Sequence, residues 1–548
     1  MKTPLLILTF LCLHLAGIAQ ILPPQFEWAR SMGGWQDDNL ADLVVAEDGS
    51  VYVTGSFTDF ICFDTLCFPA ASPDTSDIFL AKYDSVGVLQ WAKVLGGGGV
   101  DQGKTLALDS QGNVFLGAGF SGKIDLGGGS VIANNQTPND FSPRDFIIIK
   151  ISYSGDFLSF LHPLGKNVIA LIEEITISEE GRLYIAGKSS SDSLIFSKTF
   201  FLPQTNTDRF FIAGFEGDFS PIFVSEITLP NSSFSEIREL QSGNNGDIYL
   251  SGRFSDSMII GGHTFLQSRS LGRFLAKFEG NGKFRWAKII PEELYGVSID
   301  ERGHTYVTGY LSNTESFDSE LILEKGNFIL SFNEEGKIVW GKNVFQEGFG
   351  YTHTFYNRGQ VYLATAFRDK IIINSKIFFS QGQTDILIAR YDTLGTCIWV
   401  KATGSSSIDR ISSINGNKNG DVVIGGWFNY SSTSFDSLIV QNLAPGRNEL
   451  FIAQLHRDSL PPLPQPPAEW TVYPNPFEGH VFLWGDFVLG PLDISLFDLS
   501  GREIWKTQML IEDTIFPIRL SVPVLPDGFY LLRLGQGGQE IVKKMVRT

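Results

Sequence analysis

Short runs of alternating apolar and polar residues fill most of this chain, and tight turns separate them. The run from Val51 to Gly55, for example, follows a Gly turn and contains β-branched and aromatic residues. Alternation with a period of two residues predicts half-buried β-strands. Long stretches with the 3.6-residue period of amphipathic helices are missing from the sequence. The pattern therefore predicts an all-β protein with little helix.

One phrase, a turn containing Gly followed by an alternating strand, occurs seven times. Its glycines are 56 to 69 residues apart, at positions 49, 112, 181, 246, 303, 359 and 420. The glycine suits a turn that needs positive φ. Alternating residues also precede the turn, as in Ala41 to Ala46, so each copy predicts a β-hairpin.

A second phrase lies between the copies of the first. Asp77 to Tyr83 leads through a Gly turn to Gln90 to Lys93, and Arg273 to Phe278 leads to Arg285 to Lys288. This is a second hairpin, so each repeat is predicted to hold four strands. Seven four-stranded repeats of this length are typical of the blades of a β-propeller.

The two ends of the repeat region predict how the ring closes. The last copy, Glu449 to Leu455, lacks the Trp strand that should follow it, and an orphan copy of that strand occurs at Phe26 to Arg30. We therefore expect the N-terminal strand to complete the seventh blade, which removes the exposed edges. The recurring Trp and Tyr residues are interpreted as core positions rather than carbohydrate platforms.

These repeats resemble the bacterial seven-bladed β-propeller repeat family, whose units read roughly Gly-Asn-Val-Tyr-Val-Thr-Gly, Phe-Ile-Ala-Lys-Tyr and Trp-Ala-Lys. The resemblance covers residues 26 to about 456. It implies a propeller over residues 20–456 but little about activity, because the repeat describes a scaffold.

A proline-rich stretch at 457–468 predicts a stiff linker, and the eighty residues after it, 469–548, contain neither repeat phrase. Alternating segments there predict a small β-sandwich. Its motifs resemble the type A C-terminal sorting domain of the type IX secretion system. The matching residues include Tyr473, Pro474, Asn475, Pro476, Gly501, Gly528, Tyr530, Lys543 and Lys544. The resemblance implies recognition by the type IX secretion machinery, with the passenger then released or attached to the cell surface.

The first nineteen residues have the pattern of a cleaved secretory signal peptide. Lys2 precedes an apolar run from Leu5 to Leu15, and Gly17 to Ala19 supply the small residues of a cleavage site. This run is too short for a transmembrane anchor. The sequence therefore predicts an extracellular protein, secreted or attached to the outer-membrane surface, that is not transmembrane.

The charge of the chain argues against one class of partner. The formal net charge is −18 and no basic cluster interrupts the acidic excess, so nucleic acid is an unfavourable partner. A monomer without a cofactor is expected. Cys62 and Cys67 flank a predicted tight turn, where an oxidising compartment permits a disulfide although directly opposed strand residues often have poor geometry for one. No metal-site spacing is present.

We find no catalytic motif, and the candidate binding residues lie in the loops that precede the first strand of a repeat or on that strand. Variable loops on a rigid ring are a common binding arrangement. The candidates are Trp35, Asp37, Asp38, Asp101, Asp409, Tyr351 and His353. The aspartates have two interpretations, as ligands for a cation or a sugar, or as caps of local turns.

The sequence leaves two functions open. The first is an exported binding protein that recognises a glycan or a protein through the loop face of the propeller. The second is an extracellular hydrolase or lyase acting on polysaccharide, with acidic residues as acid and base. The first is favoured, because an enzyme should break the repeat symmetry with convergent polar residues, and only Tyr351 and His353 hint at this.

Overall fold

The structure is a computed structural model that describes most of residues 22–547. The predicted signal peptide, residues 1–19, and nearly all of the predicted linker lie outside the described residues. The gaps are residues 128, 135–142, 144, 166–168, 191, 206, 231–233, 244–245, 267–270, 291, 318–320, 346–351, 374–375, 458–470, 474–479, 485–489, 512–517, 524 and 537–538. Every regular element among the described residues is a β-strand. The described part therefore contains no helix long and apolar enough to cross a membrane. The chain is all-β, and it divides into two compact units, Met1–Asp458 and Ser459–Thr548.

The first repeated phrase forms the hairpin turn that its glycine predicts. Asn39–Val45 pairs antiparallel with Val51–Phe57, and between them the Gly49 amide donates a hydrogen bond of 2.9 Å to the Ala46 carbonyl. Gly49 has a φ of 85°, and the six equivalent glycines have φ between 75° and 97°. An L side chain rarely adopts these values, so the turn explains why the glycine recurs.

The described residues of the first unit contain seven antiparallel sheets with four main strands each. Within each sheet the strands pair in the order first, second, third and fourth. Sheet 1 contains Asn39–Val45, Val51–Phe57, Asp77–Tyr83 and Leu89–Gly97; sheet 2 contains Gln102–Leu108, Val114–Phe120, Asp145–Ile151 and Phe157–Leu161; sheet 3 contains Ala170–Ile177, Leu183–Ser189, Arg209–Phe215 and Pro221–Thr228; sheet 4 contains Glu236–Ser242, Ile248–Phe254, Gly272–Phe278 and Phe284–Ile290; sheet 5 contains Glu293–Ile299, Thr305–Leu311, Gly326–Phe332 and Ile338–Phe345; sheet 6 contains His353–Asn357, Gln360–Phe367, Asp385–Asp392 and Cys397–Thr403; sheet 7 contains Asp409–Gly416, Val422–Phe428, Glu449–Leu455 and Phe26–Gly33.

The connection between the second and third strands of each sheet carries a short hairpin, and the sequence predicted only the first of these, around Cys62 and Cys67. The long inserts at 56–76, 119–144 and 188–208 each contain one. The hairpins are Phe60–Phe63 with Leu66–Pro69, Lys123–Asp125 with Ser130–Ile132, Leu194–Ile195 with Phe201–Leu202, Ser257–Ile260 with His263–Leu266, Glu315–Ser316 with Ile322–Leu323, Lys370–Ile373 with Lys376–Phe379, and Ser432–Phe435 with Leu438–Gln441. Three of them pair with the fourth strand of the preceding sheet and so cover part of its edge.

A disulfide joins Cys62 and Cys67 across the first of these hairpins, which settles in the structure what the sequence left open. The two residues are directly opposed, with a Cα–Cα distance of 4.0 Å. The hairpin also pairs with the end of the N-terminal strand, Gly33 lying opposite Cys62. The crosslink therefore stiffens an element that holds the N-terminal strand in place.

The first strands of the seven sheets contact one another in a closed cycle. Each contacts the first strand of the next sheet, and Asp409–Gly416 of sheet 7 contacts Asn39–Val45 of sheet 1. Apolar cores lie between neighbouring sheets; one contains Trp28 and Met32 from sheet 7 together with Leu43 and Val53 from sheet 1. The core is thus distributed around the cycle and not concentrated at one point.

Tryptophans on the fourth strands hold neighbouring sheets together. Each of four indole Nε1–H groups donates a hydrogen bond to a backbone carbonyl in the turn between the third and fourth strands of the next sheet. The pairs are Trp28 with Ser85 at 3.1 Å, Trp91 with Tyr153 at 3.2 Å, Trp286 with Glu334 at 2.9 Å and Trp340 with Thr393 at 2.9 Å. This agrees with a structural role for the recurring tryptophans.

The N-terminal strand completes sheet 7. Phe26–Gly33 runs antiparallel to Glu449–Leu455, with Ala29 opposite Ala453 and Met32 opposite Leu450. Phe26, Trp28 and Met32 are buried, whereas Glu27 is exposed. Residues more than 400 positions apart in the chain are therefore joined in one sheet.

The second unit contains two antiparallel sheets that share one apolar core. The three-stranded sheet consists of Thr471–Tyr473, His480–Trp484 and Ile518–Ser521, and the four-stranded sheet consists of Glu503–Ile511, Gly490–Phe497, Gly528–Gln536 and Gln539–Arg547. Val481 and Leu520 of the first sheet belong to the same core cluster as Leu496 and Leu532 of the second. The sequence patterns missed Glu503–Ile511 and Thr471–Tyr473.

Deleting Gln20 to Arg30 from the mature chain should lower the thermal midpoint (Tm) by roughly 10 °C or more. The deletion removes two buried large side chains, Phe26 and Trp28, each of which stabilises the fold by about 2 kcal/mol, and it leaves most of Glu449–Leu455 as an edge strand. Differential scanning calorimetry measures the change. Glu27→Ala, which removes an exposed side chain of the same strand, should leave the Tm unchanged; an equal Tm for the deletion would contradict closure by this strand.

Candidate functional site

Three loop aspartates, which the sequence offered as ligands or as turn caps, stand at the start of three different first strands, and two of them cap local turns. In sheet 7, Asp409 Oδ2 accepts hydrogen bonds of 2.7 Å from both the amide and the hydroxyl of Ser405. In sheet 1, Asp38 Oδ2 accepts one of 2.8 Å from the Gly34 amide. Asp101 precedes the first strand of sheet 2 in the same way. No hydrogen bond or ion pair among the described residues links the three to one another, so they do not form a common site.

The other loop candidates are exposed. Trp35 has 65% of its surface accessible and contacts the Phe60 ring edge-on, with centroids 5.1 Å apart. Asp37 accepts a hydrogen bond of 2.9 Å from the Asn448 amide and forms an ion pair with Arg447. Tyr351 lies outside the described residues.

The first strands share a β-bulge that the sequence did not reveal. In six of the seven sheets the pairing of the first and second strands shifts by one residue at an equivalent position, whereas in sheet 6 the pairing begins just after that position, at His353. A bulge bends a strand and redirects its side chains, and bulges are enriched beside functional sites. The residues at the bulges are Ala41, Lys104, Glu173, Arg238, Tyr295 and Ser412.

The residues at the next position of each first strand form what we call the polar ring. They occupy the same register opposite the second strand in every sheet. They are Asp42, Thr105, Glu174, Glu239, Gly296, His353 and Ser413. Only His353 of this set was a candidate from the sequence. The sequence does contain a pattern that marks these positions, because in six repeats the residue lies seven positions before the turn glycine.

A cavity of about 430 Å³ is lined by all seven first strands. Every member of the polar ring except Gly296 contributes to it, together with Lys104, Arg238 and Tyr295 from the bulges. This volume lies within the range of small-molecule sites. The structure therefore brings acidic, basic, hydroxyl and imidazole groups from different sheets into one space.

Hydrogen bonds connect the polar ring from sheet to sheet. Ser413 Oγ donates to Asp42 Oδ1 at 3.1 Å, and the Leu106 amide donates to Asp42 Oδ2 at 2.8 Å. Thr105 Oγ1 donates to Glu174 Oε2 at 3.1 Å. These bonds position two of the three carboxyl groups that face the cavity.

Burial raises the pKa of all three ring carboxyl groups, but by different amounts. The pKa of Asp42 rises to about 6, and hydrogen bonds from Leu106, Leu43 and Ser413 limit the rise. The pKa of Glu239 rises to about 8, and that of Glu174 lies well above its usual range because of burial and the nearby Glu239 and Asp42 charges. At pH 7 Asp42 is therefore mostly ionised, while Glu239 is mostly protonated and can donate a hydrogen bond.

His353 is neutral in this environment. Burial, and secondarily the positive charge of Arg238, lowers the pKa of its imidazole to about 4. Among the described residues, no group of three or more His, Cys, Asp or Glu side chains is arranged to hold a metal ion. The cavity thus offers mixed hydrogen-bond donors and acceptors with two cationic side chains, Lys104 and Arg238, which suits a hydroxyl-rich ligand.

The residues of the predicted sorting motif have structural positions in the second unit. Gly501, with a φ of 83°, forms the turn after Gly490–Phe497. Tyr530 is buried and its hydroxyl donates a 2.6 Å hydrogen bond to the Pro526 carbonyl. Tyr473 ends one strand, Gly528 begins another, and Lys543 and Lys544 lie in the last strand. Pro474, Asn475 and Pro476 lie outside the described residues.

Several known proteins resemble this chain only distantly in sequence or in fold. Regulatory protein FlaEY of Caulobacter vibrioides is 34% identical over 103 residues, which are 18% of this chain and 11% of that protein, so the match spans only about a tenth of the relative. A solved Bacteroides caccae protein of unknown function has 11% identity and a TM-score of 0.27, covering 58% of this chain and 94% of its own. YCF48 bound to D1 peptide has 9% identity and a TM-score of 0.38, covering 80% and 98%. These values are too low to bear on activity.

The second unit has a specific match. Residues 471–548 fit the family described as the secretion system C-terminal sorting domain. This is the domain that the type IX secretion machinery recognises, and the motif residues named above belong to it. The chain therefore carries a type IX sorting domain, and it is an exported protein of the cell surface or the surrounding medium.

Proposed function

We propose that the first unit is a closed seven-bladed β-propeller that acts as a binding protein after export. Seven four-stranded sheets and the closed cycle of contacts among their first strands support the blade assignment. Pairing of Phe26–Gly33 with Glu449–Leu455 supplies the closure. On this proposal a signal peptide at 1–19 directs the chain to the periplasm, and a sandwich-like sorting domain at 469–548 directs it outward.

The ligand site that we propose is the cavity within the ring of first strands, and the observation that carries it is the asymmetry of the polar ring. The tryptophan contacts and turn glycines repeat from sheet to sheet, as a scaffold requires. The ring instead presents a different group from nearly every sheet, including Asp42, Glu174, Glu239 and His353. Unlike groups at equivalent positions are what a single asymmetric ligand needs. The end of a glycan chain fits the volume and the mixed donors and acceptors.

A polysaccharide hydrolase or lyase is the second candidate, and the pKa values of the ring favour it specifically. Asp42, with a pKa of about 6, is ionised near neutral pH, whereas Glu239, with a pKa of about 8, is protonated. Two carboxyl groups whose pKa values are separated by their surroundings are how glycosidases divide the roles of base and acid. Release of reducing ends from a polysaccharide panel distinguishes this candidate from binding alone.

Glu239→Ala and Arg238→Ala should each weaken glycan binding at least about tenfold, because a lost hydrogen bond to a buried polar ligand group costs more than 1 kcal/mol. Binding of the purified mature chain to a glycan array, followed by calorimetry with the best ligand, measures the effect.

Trp35→Ala, on the exposed loop face, is the matched control and should bind as the wild type does. If Trp35→Ala loses binding while both cavity variants keep it, the ligand site is the loop face and the cavity proposal is wrong.

Removing residues 471–548 should trap the repeat unit in the periplasm of a host that has a type IX system, since the recognised domain is absent. Cell fractionation with immunoblotting measures the distribution. Residues 459–548 fused to a periplasmic reporter provide the reciprocal control and should carry the reporter outside. Equal export with and without the domain would show that another segment is recognised.

A further inference from the structure

Six buried acidic residues meet in pairs at three consecutive sheet junctions. Asp77, Asp385 and Glu449 each begin a third strand, and Asp101, Asp409 and Asp38 stand at the start of the first strand of the following sheet. The exposure of all six is 3% or less. The junctions are those between sheets 6 and 7, 7 and 1, and 1 and 2, so two of them flank sheet 7, which the N-terminal strand completes.

The pair between sheets 1 and 2 lacks donors for its oxygens. Asp77 Oδ2 accepts a hydrogen bond of 2.5 Å from the Ala71 amide, but Asp77 Oδ1 and both oxygens of Asp101 have no hydrogen-bond partner of ordinary geometry. Both carboxyl groups approach the Gly97 amide, which places them beside each other. A buried carboxylate without partners is strongly unfavourable, so this pair needs a counter-charge or a proton.

The glycines from Gly96 to Gly99 run beside this pair, and all except Gly98 pack closely against neighbouring residues. A Cβ on Gly96 would lie 2.2 Å from Asp77 Oδ1, and one on Gly99 would lie 2.2 Å from the Ser121 carbonyl oxygen. Gly96 and Gly97 belong to the strand Leu89–Gly97. The run therefore lets the backbone close around the carboxyl pair.

The carboxyl groups of the pair between sheets 7 and 1 both lie close to Gly33. A Cβ on Gly33 would lie 2.9 Å from Glu449 Oε2 and 3.2 Å from Asp38 Oδ2, so both carboxyl groups face the same point. Asp38 Oδ1 has no hydrogen-bond partner. Burial raises the pKa of Asp38 to about 8 and that of Glu449 to about 7, and the nearby Glu449 charge adds to the rise at Asp38.

The third pair, Asp385 with Asp409, serves as an internal comparison because hydrogen-bond donors contact both of its carboxyl groups. Asp409 accepts hydrogen bonds from Ser405 and, at 2.7 Å, from Thr433 Oγ1. Asp385 accepts them from the amides of Gln381 and Gly382. This pair occupies the same place in the repeat without needing a further ligand.

We propose that Asp77 with Asp101, and Asp38 with Glu449, each bind one Ca²⁺ ion. Each site offers two carboxylates and no nitrogen or sulfur ligand, which suits a hard cation; backbone carbonyls and water complete the shell. Ca²⁺ tolerates irregular oxygen geometry, whereas Mg²⁺ demands an octahedron and retains water. The Asp38–Glu449 site adjoins Gly33, the last residue of the N-terminal strand, so the ion there would tie the two ends of the repeat unit together.

Calorimetric titration of the purified mature chain, after treatment with a chelator, tests this at pH 7.5. We expect two Ca²⁺ ions per chain, with dissociation constants on the order of 10⁻⁴–10⁻³ M as in extracellular modules. The Tm should rise by about 2 °C or more with excess CaCl₂ but not with MgCl₂ at equal ionic strength. Asp101→Asn and Glu449→Gln should each remove one ion, and the matched Asp409→Asn should remove none.

Absence of Ca²⁺ binding by the wild-type chain, both at pH 7.5 and at pH 9, would overturn the proposal and show that the pairs share protons. Ca²⁺ binding that persists in the double variant of Asp101→Asn with Glu449→Gln would also overturn it. If a variant fails to fold, the stoichiometry of the wild-type chain decides. The outcome is independent of glycan binding, since these pairs lie outside the cavity lining.

Discussion

The antiparallel pairing of Phe26–Gly33 with Glu449–Leu455 is the interaction on which the rest of the repeat unit depends. Among the described residues of the first unit, the four main strands of every other sheet come from one continuous segment of the chain, whereas sheet 7 joins residues more than 400 positions apart. Without the N-terminal strand, Glu449–Leu455 would present unpaired amides and carbonyls, and Trp28 could not bond to the Ser85 carbonyl of sheet 1. The hairpin with the Cys62–Cys67 disulfide and the Asp38–Glu449 pair adjoin the same strand.

Repetition and asymmetry have separate places in this molecule. The repeated features, such as the turn glycines and the tryptophan hydrogen bonds, lie between strands and between sheets. The same contacts recur there because neighbouring sheets pack in the same way. The unlike residues lie on the first strands, where bulges turn them toward a common cavity. A scaffold that is uniform in its core can thus present a specific polar surface at one place.

The sequence predicted the turns, the main strands and the N-terminal strand, because each depends on a local pattern. Gly49 and its equivalents mark positive φ, and Phe26 to Arg30 visibly copy a strand missing elsewhere. Apart from the one around Cys62 and Cys67, the hairpins between second and third strands were missed, because strands of two to four residues are too short to show a period. Asp42, Glu174 and Glu239 were missed, because a bulge breaks the alternation that tells which face a residue occupies. His353 was found only as an unusual residue in its repeat.

Hydrogen exchange of the mature chain, read by mass spectrometry for the peptide that contains Phe26–Gly33, tests closure most directly. The account predicts that amides of this strand are protected as strongly as those of Leu450–Leu455, because both exchange only when sheet 7 opens. Exchange of the N-terminal strand within seconds, while Leu450–Leu455 stays protected, would contradict it.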